Sequence, residues 1–257
     1  MNQSETIAVV FIGVLFTGML ACLEVGRRLG RRAASDSAGR EGLSVIEGAV
    51  FALLGLLIAF TFSGAATRFE GRRHFIVEEA NDIGTAYLRI DLLPVEAQPE
   101  IRDLFRRYVD KRLETYRHVG DMTLGRQNLA ASQELQTEIW QKSVAAAGRS
   151  PNTAASMLLL PALNAMIDIT TVRTAATENH PPVIIFAMLA LIALATSLMA
   201  GFEMAGAKRR SWLHIIGYAL IVSIAVYVIL DLEFPRMGLI RVDAFDHYLM
   251  DVRTSMK

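Results

Sequence analysis

Four stretches of this chain are almost free of charge. Thr6–Leu23, Gly48–Thr67 and Pro181–Phe202 carry none, and Ser211–Leu230 carries only His214. Each approaches the roughly 20 apolar residues that a helix needs to cross a bilayer. In hydrocarbon every backbone N–H and C=O must be satisfied within the structure, and a helix does this inside one segment. Buried helices of a water-soluble protein would show an apolar face and a charged one rather than runs uncharged on all sides. The sequence therefore specifies an all-α integral membrane protein with four transmembrane helices. Its 53% hydrophobic and 20% charged residues coexist because the two classes are segregated along the chain.

The N-terminus, MNQSETIA, has no basic region, and Ala21-Cys22-Leu23-Glu24 offers no small-residue cleavage site. The first run is thus expected to remain as a span rather than leave as a signal peptide. The single cysteine, Cys22, excludes an intrachain disulfide. A formal net charge of zero argues against nucleic acid as a partner. Arg27, Arg28, Arg31, Arg32 and Arg40 connect spans one and two, and Lys208, Arg209 and Arg210 connect spans three and four. By the positive-inside rule these connections are cytoplasmic, which places both termini and the long middle segment outside. Arg68, Arg72 and Arg73 after span two, and Arg236 and Arg241 after span four, weigh against that orientation.

The middle segment reads as helices. Ile76, Ala80, Ile83, Tyr87 and Ile90 step by four and three, so span two is expected to continue out of the membrane as one helix. Pro94 and Pro99 mark the turn that stops it. A second helix carries Ile101, Leu104, Phe105, Tyr108 and Tyr116, with acids early and bases late, as the helix dipole favours. A third, about Gln127–Ala147, carries Leu135 and Ile139 and ends before Ser150-Pro151. A fourth runs from about Asn152 to Thr177, where Pro161 either bends it or marks a fresh start. Gly238–Val242 is the one stretch with strand-like alternation. The expected organisation is residues 1–67 for spans one and two, 68–180 for an antiparallel helical extramembrane domain, 181–233 for spans three and four, and 234–257 for an extramembrane tail.

Several side-chain groupings invite chemistry. Glu70, His74 and Glu78 share one helix face, but no second helix supplies a Glu-x-x-His, and His118, His180, His214 and His247 lack acids at ligand spacing. Solvated i,i+4 pairs explain the face better than a metal does. Glu78, Asp82, Thr85 and Arg89 form a polar stripe beside the apolar one. A carboxylate pair can do acid–base work, yet the chain has no nucleophile motif, phosphate loop or cofactor fingerprint. No catalytic residue, metal or cofactor is assigned. Around an oligomer axis the same stripe would line an aqueous vestibule. In span two, Gly48, Ala52, Gly55, Ala59 and Ser63 form a small-residue stripe that permits close helix packing. Leu56 and Phe60, on a face that includes Ala52, fit an apolar constriction. Glu24, Glu47, Glu203, Asp231 and Glu233 stand at the membrane borders, where ion pairing with Arg27, Arg28 or Lys208 is the structural reading.

The motif "EANDIGTAYLRIDLLP", with "FTFSGAATRFEGRR" before it and "DLEFPRMGLIRV" after span four, resembles the bestrophin-like family of bacterial four-span membrane proteins. The resemblance covers nearly the whole chain. A more distant similarity reaches the bestrophin chloride channels, whose second span has a Phe eight residues before an Arg-aromatic pair. Here Phe60 precedes Arg68-Phe69 by eight, with Ala59 where those channels have Gly. This similarity implies a pentameric homo-oligomer in the lipid bilayer with Ala52, Leu56 and Phe60 at a pore constriction. Ser63, Glu78, Asp82, Thr85 and Arg89 would then line wider parts of the pore or its vestibule. It implies inorganic ions as the cargo, anions among them. The resemblance to the bacterial family implies the bacterial inner membrane as the location. The charge rule, not the resemblance, makes the helical domain and termini periplasmic. The alternative is a non-conducting scaffold or sensor whose extramembrane helices bind a partner. A membrane enzyme using Glu78 and Asp82 is the third.

Overall fold

The structure, a computed structural model, describes residues 3–32, 40–117, 122–149, 153–206, 211–236 and 238–256, and every regular element among them is helical. The helices are α1 (Gln3–Arg32), α2 (Arg40–Leu88), α3 (Gln98–Arg117), α4 (Met122–Arg149), α5 (Leu160–Glu178), α6 (Val183–Glu203), α7 (Trp212–Glu233) and α8 (His247–Ser255). Lys208, Arg209, Arg210, His118, Ser150, Pro151 and Asn152 lie outside the described residues. Four helical stretches are long and apolar enough to cross a membrane, and each overlaps one of the four apolar runs. The chain is a multi-pass membrane protein. It divides into two units, Met1–Arg68 with His180–Leu239, and Phe69–Asn179 with Ile240–Lys257.

In the first unit α1 packs along α6 and against α7. Leu15, Met19, Leu54, Leu189, Ala193, Ala219, Val222 and Val226 form its core. The α1–α6 seam is unusually close. A Cβ added at Gly201 would lie 2.1 Å from the Leu23 carbonyl oxygen, and one at Gly26 would lie 1.9 Å from that of Leu198. Between apolar helices in lipid, such close approach supplies the van der Waals contact that hydrophobic burial cannot. Several hydroxyls within the spans find partners, although Ser223 Oγ on α7 is buried without one among the described residues. Thr196 and Ser197 donate to carbonyls one turn back, and the Tyr218 hydroxyl donates to Thr196 Oγ1 at 2.7 Å. The small-residue stripe of span two is not used in this way. Gly48, Ala52, Gly55, Ala59 and Ser63 are all exposed, and added Cβ atoms at Gly48 and Gly55 would meet nothing within 4 Å.

In the second unit the apolar stripe is buried as its spacing predicts, with Ile76, Ala80, Ile83, Tyr87 and Ile90 each under a tenth exposed. The first helical segment ends in a 3-10 turn, Arg89–Leu92, ahead of Pro94, and Pro99 stands in the first turn of α3, where a missing N–H costs nothing. Ile101, Leu104, Phe105 and Tyr108 of α3 and Leu135 and Ile139 of α4 complete the core. Before α5 the backbone widens into a π-helical turn, Ala155–Leu159, and Pro161 stands in the first turn of α5, with helical dihedrals at Leu159 and Leu160 just before it. The C-terminal segment is more than a tail. Leu249 and Met256, in and just after α8, join this core, and Arg253 donates to both carboxylate oxygens of Asp110 at 2.8 and 3.0 Å.

Gly238–Val242 forms no strand. A lone extended segment has no partner for its backbone groups, and the Asp231 carboxylate accepts the Leu239 N–H instead, at 3.0 and 3.1 Å. A Cβ at Gly238 would fall 1.3 Å from Asp231 Oδ1, so a larger residue there would displace this carboxylate.

Candidate functional site

Helix α2, 49 residues long, carries a run of exposed residues in each of the two units. In the first unit Gly48, Ala52, Gly55, Ala59, Ser63 and Thr67 are exposed, and in the second Glu70, His74, Asn81, Thr85 and Leu88 are exposed. Steps of three, four and seven keep each run on one side of a 3.6-residue helix. Leu56, half exposed, and Phe60, 67% exposed, border the small residues. Ala52, Leu56, Phe60 and Ser63 are exposed together in the first unit, and Thr85 is exposed in the second. Glu78 and Asp82 are partly covered. Arg89 turns away, donating from Nη1 to the Leu158 carbonyl at 2.6 Å. Arg72 is buried and donates to the carbonyls of Ala176 and Asn179 at 3.0 and 3.1 Å. Partial burial, reinforced by Glu78 and Glu79, raises the Asp82 carboxyl above its ordinary pKa.

Of the border acids, Glu24 and Glu233 act as ties. Glu24 pairs with Arg27 and Arg28, as expected. Glu233, 1% exposed, takes both Nε and Nη2 of Arg68, with Nε at 2.9 Å, and lies 3.6 Å from His180 Nδ1. The His180 ring stacks on Phe234 at 4.6 Å. The Glu70–His74–Glu78 face is an exposed run of pairs. Glu70 takes Arg73, and His74 Nε2 lies 3.8 Å from Glu78. Among the described residues no three potential ligands converge on a metal position.

The strongest electrostatic feature was not singled out by the sequence reading. Glu79, fully buried, accepts Arg112 Nε at 2.6 Å on one oxygen and Arg173 Nη1 on the other. Arg112 Nη2 donates to the Tyr116 hydroxyl, which donates to Glu79 Oε2. Both guanidiniums lie over the Tyr116 ring, at 5.0 and 3.9 Å. Tyr108, Gln136 and Thr170 form a neutral network beside this cluster, with bonds of 2.9–3.2 Å. Burial pushes Tyr108 up to about 12. Glu79 lies well beyond the uncharged run of span two. Burial alone would raise its carboxyl, but Arg112 and Arg173 outweigh it and bring it down to about 2. The sequence does carry a signal for Glu79: it falls between Ile76 and Ile83, a carboxylate inside the apolar stripe.

Across the chain, residues 13–244 match a family model described as Bestrophin-like domain. No curated protein and no solved structure matches the chain.

Proposed function

This chain belongs to the bestrophin-like family, and from that premise we propose that it is an oligomeric ion channel whose pore is lined by α2. The observation that supports this reading most is the exposed run that this helix carries in each unit. Lipid would cover the small and apolar run, and water the polar one. One axis shared by several copies accounts for both runs with a single arrangement. In it Ala52, Leu56 and Phe60 form an apolar constriction of the kind that gates by dewetting. Ser63, Glu78, Asp82 and Thr85 face wider aqueous parts, while Arg89 is held by the Leu158 carbonyl. Five copies are the number the family resemblance favours, set in a bacterial inner membrane with the helical domain and termini periplasmic.

The ion follows from fixed charge. Glu78 and Asp82 make the vestibule edge acidic while Arg72 and Arg89 donate to backbone carbonyls. Anions pass freely in this arrangement only when those acids are neutralised. Reconstituted in planar bilayers, the wild-type protein is expected to carry current, and Phe60→Ala to carry several-fold more through a wider constriction. Equal silence from both would overturn the channel reading.

A second reading has its own observation. Leu88, Val95 and Met157 of the helical domain are each at least 70% exposed. A scaffold or sensor would use such residues to bind a partner, and silence in bilayers would favour it.

A further inference from the structure

We propose that the helical domain holds one small monovalent anion at Arg112 Nη1 beside the Glu79–Arg112–Arg173 cluster. Two independent observations lead there. The first is charge. One carboxylate faces two guanidiniums, and arginine stays protonated at any pH a protein meets. Glu79 is 0% exposed, Arg112 1% and Arg173 6%, so one positive charge in excess sits in the interior. A buried uncompensated charge is among the costliest features a fold can carry. The neighbouring network of Tyr108, Gln136 and Thr170 is neutral and offers it no counter-charge. Asp82, the next acid along α2, is raised rather than lowered, so it is not compensated by these arginines.

The second observation is an orphan donor. Arg112 Nε is spent on Glu79 and Nη2 on Tyr116, but Nη1 is buried with no partner. Buried polar groups are nearly always satisfied, and each exception calls for an occupant. A water would answer the donor and leave the charge. A small anion answers both. The Tyr116 ring covers a face of each guanidinium, 5.0 Å from that of Arg112 and 3.9 Å from that of Arg173, so an occupant meets Arg112 in the guanidinium plane, at Nη1. This inference concerns the helical domain alone and stands whether or not α2 lines a pore.

The test uses the full-length protein in detergent. Crystals soaked in sodium bromide, measured at the bromine edge, are expected to show an anomalous peak within hydrogen-bonding reach of Arg112 Nη1. Water-like density there without anomalous signal would overturn the proposal. In solution, the melting temperature is expected to rise saturably in sodium chloride but not in sodium gluconate at matched ionic strength. Arg112→Met removes both the excess charge and the orphan donor, so it is expected to lose the chloride response. An equal response to both salts in the wild type, or a chloride response kept in the variant, would count against the site.

Discussion

Glu79→Ala is expected to destabilise the protein by about 3–5 kcal/mol, the usual cost of leaving buried charges without their partner. Two guanidiniums would lose the one carboxylate they share. Thermal unfolding followed by circular dichroism reads the effect, with Glu78→Ala as control. Glu78 is the adjacent residue but has a side chain 45% exposed, so its loss is expected to cost within about 0.5 kcal/mol. Equal effects from the two variants would refute the structural role given to the cluster. The pH dependence has a definite sign. Glu79 is lowered from 4.5 to about 2 by its arginines. Its contribution is therefore complete above about 4.5 and is lost as the pH falls toward 2. Glu79→Gln is expected to flatten acid destabilisation in that window.

The second large effect concerns the α1–α6 seam. Gly201→Val is expected to cost at least about 2 kcal/mol, in the upper part of the range for overpacked sites. The clash is with the Leu23 backbone carbonyl, 2.1 Å from the first added carbon, and no side-chain rotation relieves it. Gly217→Val on α7 is the matched control, since nothing lies within 4 Å of its added Cβ. Melting temperatures in detergent compare them. A Gly201 variant as stable as the Gly217 variant would mean that the helices are not in this contact.

How much of this was legible beforehand depends on the range of the interaction. The spans and the stripe Ile76–Ile90 are local patterns, fixed by runs and by spacing, and both appear where the residues place them. Glu79 was passed over because its partners Arg112 and Arg173 stand 33 and 94 positions away. Spacing along one helix cannot reveal a carboxylate shared by three helices. The small residues of α2 were the conspicuous stripe, yet the tight seam runs through Gly26 and Gly201, because which helices pair is a tertiary fact. Helix α8 is nine residues long, too short for periodicity to stand out, and it is fixed by Leu249 and the Arg253–Asp110 pair. The strand-like reading of Gly238–Val242 failed because alternation over five residues has no force without a partner strand.

The exposed runs of α2 are where sequence, fold and proposed function meet, and what covers them decides the account. The most direct measurement is a cryo-electron microscopy structure of the full-length protein in lipid nanodiscs. The account predicts a closed ring with a continuous axial hole, α2 of every copy lining it, and the Phe60 side chains at its narrowest point. A monomer, or an assembly in which Phe60 faces lipid and no hole runs along the axis, would contradict it.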